Sequence, residues 1–292
     1  MEKLPIAILG TGNIGSDLLA KVIKSPYLAC RLFAGRNVES SGISRAKKLG
    51  INTSTNSLDA ITADKESKIV FDATNAESHR INMDKLGKTK KIVIDLTPSK
   101  MGCLCVPLLN LSECFDKKDI CLITCGGQAT IPISKILMEV HPEIKYIEIA
   151  SSISSKSAGP ATRQNIDEYI QTTERGIKSF SGVKNAKAIL NINPAEPPIN
   201  MHNTIYAEFT GRPDLEAITK KVNEAAEKMK KYIPGYKISI PPRYDGEKIS
   251  LTTEVMGVGD YLPKYAGNLD IMTCAAIAVA EGYAKLIGDK NE

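Results

Sequence analysis

Two kinds of apolar pattern alternate along the first 140 residues. Short, nearly continuous apolar runs predict buried strands at 6–9, 30–34, 68–72, 91–95 and 120–123. The segments between them place apolar residues on one side of a helix and predict helices at 16–23, 41–49 and 128–140. Buried strands that alternate with helices are typical of a parallel sheet covered on both faces. The pattern therefore predicts an α/β fold with a Rossmann-type, doubly wound parallel sheet.

The pattern changes after residue 143, where longer and partly alternating strands follow one another with fewer helices between them. Strands are predicted at 144–153, 186–192, 204–209, 237–240 and 249–255, and helices at 166–177 and 214–232. This order suggests an α+β domain with a mixed or antiparallel sheet. The last helix, 269–287, is apolar enough to require burial, and we expect it to return to the first domain. We therefore predict a nucleotide-binding domain of 1–126 plus 267–292, with an α+β domain inserted at 127–266.

A glycine motif joins the first predicted strand to the first helix. Its spacing is GxGxxG, in the strand–turn–helix context that binds dinucleotides. The first glycine permits the tight turn, the second lets the backbone approach a pyrophosphate, and the third lets the helix pack on the strand. The glycines predicted to form a dinucleotide site here are Gly10, Gly12 and Gly15.

Three further strand ends carry candidate ligand-binding residues. The second strand ends at Gly35-Arg36-Asn37, without the acidic residue that binds the ribose hydroxyls of NAD. Arg36 is a candidate to bind the 2′-phosphate of NADP, and the alternative is an arginine in a solvated loop. Asp72 and Asp95 end two strands at the sheet edge where ligands bind, and they either bind a ligand or cap turns.

Cys125 follows the predicted strand 120–123 and precedes two glycines and a predicted helix. A thiolate there would be stabilised by the positive end of the helix dipole, with backbone N–H groups near for an oxyanion. The alternative is a cysteine that packs as a small buried apolar residue. Its expected position at the sheet edge where a cofactor binds favours a nucleophile.

Composition narrows the classes of function. The 292 residues are 42% hydrophobic and 24% charged, which is ordinary for a soluble globular protein. The 38 basic and 33 acidic residues form no block of like charge, so neither nucleic acid nor a membrane surface is indicated as a partner. Seven cysteines without a disulfide or zinc spacing, and no signal peptide, predict a cytoplasmic protein without a metal site. No apolar run approaches the roughly 18 residues that span a bilayer.

Several longer motifs occur in an order that resembles one family. They are GTGNIG at 10–15, FDAT at 71–74, IDLTP at 94–98, VP at 106–107, TCGGQATIP at 124–132, the segment 151–163, NPAEPP at 193–198 and YLPKYAGNLDIM at 261–272. With these motifs the chain resembles the acylating acetaldehyde dehydrogenases that act with 4-hydroxy-2-oxovalerate aldolase in the meta-cleavage catabolism of aromatic compounds. The resemblance covers most of the chain. It implies a Rossmann domain plus an α+β domain for catalysis and dimerisation.

The resemblance implies an oxidoreductase that uses NAD or NADP to convert a short aldehyde and coenzyme A to an acyl-CoA. Cys125 would attack the aldehyde, and hydride transfer to the nicotinamide would leave an acyl-thioester for coenzyme A to accept. It also implies a homodimer and an aldolase partner. Further cofactor-binding residues implied by it are Thr11, Asn13, Ile14, Ser157, Ala158, Gly159, Pro160, Ala161, Thr162, Arg163, Gln164, Asn165 and Asn268. By residue type alone, Thr162, Arg163 and Asn165 would equally suit the start of a helix.

Two features depart from the family pattern. The family has an aspartate that assists the cysteine shortly after NPAEPP, and this chain has Asn203 there, next to His202. An amide cannot take a proton from a thiol as a carboxylate can. Either His202 is a substitute base, or Cys125 relies on the helix dipole and amides, or the chemistry differs. The segment between Tyr236 and Tyr261 is also shorter than is usual in the family.

Two other functions fit the residues. A semialdehyde dehydrogenase-like enzyme would pass the acyl group to phosphate in place of coenzyme A, although the CGGQAT block at 125–130 argues against it. A nucleotide-binding redox sensor without catalytic activity would explain why the aspartate is missing.

Overall fold

The structure is a computed structural model and describes residues 2–289. Its strands are β1 (Leu4–Leu9), β2 (Leu28–Ala34), β3 (Thr53–Ser54), β4 (Ile69–Asp72), β5 (Ile92–Asp95), β6 (Cys103–Leu104), β7 (Asp119–Cys121), β8 (Tyr146–Ser154), β9 (Asn185–Asn193), β10 (Met201–Glu208), β11 (Tyr236–Tyr244) and β12 (Lys248–Val255). Its α-helices are α1 (Asn13–Lys24), α2 (Ser41–Lys48), α3 (Ser57–Ala63), α4 (Ala76–Leu86), α5 (Pro107–Asn110), α6 (Cys125–Val140), α7 (Pro160–Gln164), α8 (Ile166–Ser181), α9 (Leu215–Lys230) and α10 (Gly267–Asp289). Two short 3-10 helices, η1 (Leu111–Cys114) and η2 (Ser155–Ser157), complete the elements.

The first sheet has seven strands in the order β3-β2-β1-β4-β5-β7-β6, and every pair is parallel. The strand order runs outward in both directions from β1, as in a doubly wound sheet that binds a ligand at the carboxyl edge. Strands β4 and β5 are buried at every residue, which explains their unbroken apolar sequences. The predicted Rossmann-type α/β fold is therefore confirmed.

The second sheet has five strands in the order β11-β12-β10-β8-β9. Strands β8 and β9 are parallel and the other pairs are antiparallel, so the sheet is mixed. Burial alternates along β8 and β10, because helices α6, α8 and α9 pack against one face of the sheet. On the opposite face, the described residues of β8 up to Ser152 and of β10 are half-buried or exposed, and we call this the open face.

The chain divides into two compact units. One unit contains the chain up to Leu122, residues 260–262 and the chain from Thr273 onward, and the other contains Ile123–Gly259 and Pro263–Met272. The parallel sheet lies in the first unit and the mixed sheet in the second. The division falls inside α10, so the terminal helix contributes to both.

Helix α10 differs from the expectation that no apolar run is long enough to span a bilayer. Its residues 267–288 are long and apolar enough, by length and composition, to cross a membrane, with a mean hydropathy of 1.4. Half of its most apolar 18-residue stretch is buried inside the protein, as is typical of a helix in a protein core. A single helix of this kind is weak support for a membrane span.

The structure differs from the prediction most at short or polar elements. Strands β3 and β6 have two residues each, too few to show a period. Helix α4 was missed because it buries polar residues, including His79 and Asn82, where an apolar stripe is expected. The strand predicted at 120–123 ends at Cys121, and the helix predicted from 128 begins at Cys125.

Candidate active site

The turn between β1 and α1 has the geometry of a dinucleotide site. Gly10 has φ +112°, and a Cβ there would overlap the carbonyl of Ala73. A Cβ on Gly15 would overlap the carbonyl of Gly10, so helix and strand approach as closely as the motif predicts. In the described chain, no other atom lies within 4 Å of a Cβ built on Gly12, and no side chain caps α1 or places a carboxylate in its first turn. Its first N–H groups therefore face an open position that suits a pyrophosphate.

Arg36 lies exposed in the loop after β2, next to this turn. A Cβ on the preceding Gly35 would meet the Thr11 side chain, and the Ser40 hydroxyl donates to the Thr11 carbonyl over 3.0 Å. The loop is thus packed directly on the glycine turn. An arginine in this loop is placed where an anionic group on the adenosine ribose would be expected.

The nucleophile candidate Cys125 is the first residue of α6, in the second unit. Thr124 is the N-cap, and its hydroxyl accepts from the Gly127 N–H over 2.9 Å and lies 2.7 Å from the Thr173 hydroxyl. The cap leaves the N–H groups of Cys125 and Gly126 to bond the Cys125 sulfur. A thiolate at this position is stabilised by two amides and the helix dipole, as the sequence predicted for a helix start.

Tyr169, on α8, is a side chain that contacts the thiol, and no sequence motif predicted it. Its hydroxyl lies 3.9 Å from the Cys125 sulfur. Gly126 makes this approach feasible, because a Cβ there would overlap the Tyr169 oxygen and crowd the Ser151 hydroxyl. A tyrosine on the buried stripe of an amphipathic helix has the pattern of a core residue, so only the fold could place it at the site.

Burial dominates the acidity of this pair. Removal from water raises the pKa of Cys125 to about 11, although the hydrogen bonds from Tyr169 and the Gly126 and Cys125 amides oppose it. Burial also raises the pKa of Tyr169 well above its ordinary value, and the neighbouring Cys125 adds to this. At neutral pH the site therefore rests as a neutral thiol beside a neutral phenol.

Asn203 stands at the inner end of a line of buried hydroxyl groups. The Ser151 hydroxyl, which also bonds Tyr169, donates to the Asn203 Oδ1 over 2.8 Å. The Asn203 Nδ2 lies 3.3 Å from the Thr253 hydroxyl. Asn203 is fully buried. Through these contacts, Cys125, Tyr169, Ser151 and Asn203 form one connected polar chain. The structure thus connects two of the predicted site residues, Cys125 and Asn203, through the hydroxyls of Tyr169 and Ser151.

His202 lies on the other side of the sheet. Because side chains alternate along a strand, His202 and Asn203 leave β10 on opposite faces, and His202 is on the open one. Its Nδ1 lies 3.0 Å from the Asn200 carbonyl oxygen and its Nε2 lies 3.6 Å from a Glu254 oxygen. These contacts do not connect His202 to the buried chain of hydroxyls that reaches Cys125.

Backbone strain lies directly before the nucleophile. Ile123 has φ +65°, in the left-handed region that a β-branched residue rarely adopts. Its side chain packs against Gly127 and Gly176, where any Cβ would crowd it. Such strain costs of order 1–3 kcal/mol and is concentrated at functional sites. The kink allows the chain to pass from β7 into α6 within three residues, so that Cys125 is the first residue of the helix.

The cofactor segment predicted at 157–165 contains the last residue of η2 and the short helix α7, and it ends at Asn165, the N-cap of α8. Arg163 makes local hydrogen bonds. Its Nε donates to the Ala158 carbonyl over 3.0 Å, and its guanidinium donates to the Ser155 hydroxyl over 3.1 Å. Asn268, at the start of α10, is buried, and in the described chain its Oδ1 has no hydrogen-bond partner. A buried acceptor without a partner suits a ligand that donates, such as a carboxamide.

Asp72 and Asp95 are buried turn residues and not open ligands. Asp72 accepts from the Thr74 N–H over 3.1 Å and from Asn82 over 3.0 Å, and Asp95 accepts from the Thr97 N–H over 2.7 Å. Both face His79, whose Nδ1 lies 3.0 Å from Asp72. The geometry supports the alternative that these aspartates hold turns.

Comparisons with known proteins agree with this geometry. Residues 125–263 match the family described as prokaryotic acetaldehyde dehydrogenase, dimerisation. A curated acetaldehyde dehydrogenase of Pectobacterium atrosepticum is 50% identical over 98% of this chain and 97% of its own length. Curated acetaldehyde dehydrogenases of Geobacillus stearothermophilus (48%, covering 98% of this chain and 97% of the relative) and Spirochaeta aurantia (47%, covering 97% and 96%) are similar over the same extent.

Proposed function

Because the chain belongs to the prokaryotic acetaldehyde dehydrogenase family, we propose that it oxidises acetaldehyde, or another short aldehyde, and transfers the acyl group to coenzyme A. The observation that carries the proposal is Cys125 at the start of α6, with two backbone amides and the Tyr169 hydroxyl on its sulfur. A thioester on this cysteine keeps the energy of the oxidation for the acyl transfer.

The first step is attack by Cys125 on the aldehyde. Its sulfur bonds to the carbonyl carbon, the carbonyl electron pair moves to oxygen, and a thiohemiacetal forms. The Cys125 and Gly126 amides and the α6 dipole stabilise the negative charge that passes from sulfur to oxygen. The resting thiol must lose its proton in this step.

Tyr169 is the proposed carrier of that proton. Its hydroxyl can accept from the thiol and donate to the aldehyde oxygen, so the proton moves from sulfur to the thiohemiacetal hydroxyl without a net base. Ser151 and Asn203 hold the Tyr169 hydroxyl in place, since they extend its hydrogen-bonded chain into the core. A neutral Asn203 fits this role, because no charge has to be stored at the buried end.

A nicotinamide dinucleotide is the proposed cofactor, NAD or, through Arg36, NADP. The open position at Gly12 and the start of α1 suit the pyrophosphate of such a molecule. Asn268 is proposed separately as a contact to its carboxamide, because its buried Oδ1 has no hydrogen-bond partner among the described residues. When bound, a nicotinamide would supply the acceptor for the hydride of the thiohemiacetal carbon, while the hydroxyl proton of the thiohemiacetal would return to Tyr169 and pass from it to water, leaving the thioester. Segment 157–165 is proposed to contribute further contacts.

The acyl group then leaves Cys125. The thiol of coenzyme A attacks the thioester carbon, the bond from carbon to the Cys125 sulfur breaks, and the departing thiolate regains a proton. The same amides that stabilise the attacking thiolate stabilise the leaving one. Coenzyme A and the aldehyde are inferred from the family resemblance, as is a 4-hydroxy-2-oxovalerate aldolase that would supply the aldehyde.

A homodimer in the cytoplasm is the proposed state of the enzyme, since the matched region is a dimerisation domain.

Co-purification of the tagged protein with a candidate aldolase tests the proposed aldolase partner. Size-exclusion chromatography with light scattering that finds the two proteins apart at every concentration would reject it.

Absorbance of the reduced nicotinamide tests the reaction. Purified protein is mixed with acetaldehyde and NAD or NADP, with and without coenzyme A or phosphate. Sustained turnover is expected only with coenzyme A, and phosphate as the effective acceptor would support the semialdehyde dehydrogenase-like alternative. No turnover with any short aldehyde would contradict the proposal and favour a sensor.

Cys125→Ser tests the nucleophile. The variant is expected to lose at least 1000-fold in kcat, since removal of a covalent nucleophile typically costs that much or more. Binding of the reduced dinucleotide, followed by its fluorescence, should remain as a control for folding. Retained turnover would exclude Cys125 as the attacking group.

A further inference from the structure

Four cysteines of the first unit lie together around the edge of the parallel sheet. Cys103 and Cys105 are on or beside the edge strand β6, Cys114 ends η1, and Cys121 ends β7. The sulfurs of Cys103 and Cys114 are 3.6 Å apart, within the range of a thiol–thiol hydrogen bond. A disulfide needs about 2.05 Å between sulfurs, so its formation requires the two sulfurs to approach each other from 3.6 Å.

The two cysteines of this close pair have different environments. Cys103 is half-buried on the edge strand, while Cys114 is fully buried beneath it. Hydrogen bonds from Cys105 and, more weakly, from Cys103 lower the pKa of Cys114 to about 7 against the effect of burial. Burial and the bond to Cys114 raise the pKa of Cys103 to about 11. The pair thus places a half-buried thiol within hydrogen-bond distance of a buried sulfur whose lowered pKa favours partial ionisation at neutral pH.

We propose that Cys103 and Cys114 form a reversible intramolecular disulfide when the protein meets hydrogen peroxide or another small hydroperoxide. This site is separate from Cys125 and does not depend on the proposed enzymatic activity. In a reducing compartment such a disulfide would be transient and would report oxidising conditions.

The chemistry balances with the peroxide as oxidant. The Cys103 proton passes to the Cys114 sulfur while the Cys103 sulfur attacks a peroxide oxygen, so that the O–O bond breaks and hydroxide leaves. That hydroxide takes the proton from Cys114 and becomes water. The Cys114 sulfur then bonds to the Cys103 sulfur, the S–O bond of the sulfenic acid breaks, and a second hydroxide leaves. The two sulfurs lose two electrons, and a dithiol reverses the change by exchange.

Peptide mapping tests the proposal directly. The intact protein is treated with hydrogen peroxide, blocked with N-ethylmaleimide and cut with a glutamate-specific protease. Cleavage after Glu113 separates Cys114 from Cys103 and Cys105, so a disulfide appears as two linked peptides. Peptide 78–113 contains Cys103 and Cys105, and peptide 114–139 contains Cys114, Cys121 and Cys125. Fragmentation between the cysteines of each peptide then identifies the two bonded residues. The expected product is a Cys103–Cys114 link that disappears with dithiothreitol.

Variants assign the roles within the pair. Cys103→Ser and Cys114→Ser should each reduce the linked product more than tenfold, whereas Cys30→Ser, at another half-buried cysteine of the same unit, should leave it unchanged. In the wild type, dimedone present during the peroxide treatment should capture a sulfenic acid on Cys103 and reduce the linked product. Recovery of the two peptides unlinked, or a link through Cys105 that survives Cys103→Ser, would overturn the proposal.

Discussion

At the scale of single residues, the proposed site contains a hydrogen-bonded chain of neutral groups. Cys125, Tyr169, Ser151 and Asn203 are joined by hydrogen bonds, and none of them carries a charge at neutral pH. A buried carboxylate at position 203 would require compensation for its lost solvation. An asparagine avoids that cost but cannot accept a proton, so the tyrosine next to the sulfur becomes the decisive group.

Tyr169→Phe is expected to slow the reaction of Cys125 with iodoacetamide about tenfold at pH 8. A hydrogen bond to a charged group contributes about 1.5–3 kcal/mol, and about 1.4 kcal/mol corresponds to one pKa unit. Since the pKa of Cys125 is raised to about 11, the wild-type rate should keep rising between pH 7 and 10, and the variant curve should lie at higher pH. Tyr146→Phe, which removes a hydroxyl bonded to Glu148, is the matched control. Superimposable curves for Tyr169→Phe and wild type would show that Tyr169 does not act on the thiol.

Asn203→Asp should move the acidic limb of the kcat/KM profile toward lower pH by about one unit, because the polar chain would then end in a group that accepts a proton. Ser151 and Thr253 already place hydroxyls on this position, so the carboxylate would have donors. A lower melting temperature is also expected from the buried charge. His202→Gln, on the opposite face of β10, should leave the profile where it is. If Asn203→Asp folds and its profile stays in place, Asn203 has only a structural role.

At the scale of elements, the sequence predicted the strands that have an apolar pattern and the turn that has the glycine spacing. Strands β1, β2, β4 and β5 are continuous apolar runs, and the GxGxxG turn has the close contacts that its spacing predicts. The start of α6 was misplaced, because Gly126 and Gly127 are poor helix formers that look like a loop. They are required in the first turn for another reason, namely that Tyr169 and Ile123 occupy the space of their missing side chains. Contacts of this kind join residues far apart in sequence and leave no local signal.

Helix α4 depends on a buried histidine that connects three strands. His79 lies 3.0 Å from Asp72 on β4, 3.6 Å from Asp95 on β5 and 3.4 Å from Asp119 on β7. Burial alone would lower the pKa of His79, but its bonds to Asp119 and Asp72 and the charge of Asp95 raise it to about 10. Burial raises the pKa of Asp95 to about 7, and the charge of Asp72 adds to this while His79 opposes it. One cation thus holds three carboxyl groups together.

The stability that His79 contributes has a defined pH window. Its folded pKa lies above the ordinary 6.5, so the contribution is complete below about pH 6.5 and is lost as pH rises through about 10. Asp95 also has a raised pKa, so its contribution has been lost by about pH 8. Cys103, Cys114 and Cys125 have shifted pKa values in wild type and variant alike, so the difference between wild type and His79→Gln from pH 8 to 10 reports His79. His79→Gln should cost about 3–5 kcal/mol at pH 7, because it leaves buried carboxylates without their cation.

Calorimetric melting temperatures between pH 7 and 10 measure this effect. The wild-type value should fall toward pH 10, and the His79→Gln value should be lower at pH 7 and flatter above pH 8. Arg80→Gln, on the exposed side of the same helix, should change stability by less than about 0.5 kcal/mol. Parallel curves for wild type and His79→Gln would mean that His79 does not carry the charge.

At the scale of the whole molecule, one face of the mixed sheet is partly exposed in a single chain. Helices cover the face that contains Asn203 and Ile149, while Tyr146, Glu148, Tyr206 and Glu208 lie on the open face. A sheet with one face on the core is common, but this face also carries aromatic residues, which are enriched at interfaces. The region belongs to a family described by dimerisation. We therefore expect a second copy to cover the open face in an isologous, two-fold arrangement.

Tyr206→Glu tests this assignment. Tyr206 is 36% exposed and lines a groove with Glu148, Glu208 and Lys248, so a further carboxylate would add like charge at an interface that must exclude water. We expect the dimer dissociation constant, measured by sedimentation equilibrium, to rise at least tenfold, which corresponds to about 1.4 kcal/mol. Ile81→Glu makes the same kind of change at an exposed apolar residue of α4, in the other unit, and should leave the association constant unaltered. A Tyr206→Glu protein that dimerises as tightly as the wild type would assign dimerisation to a different surface, and the open sheet face would then have to be explained as solvent-facing.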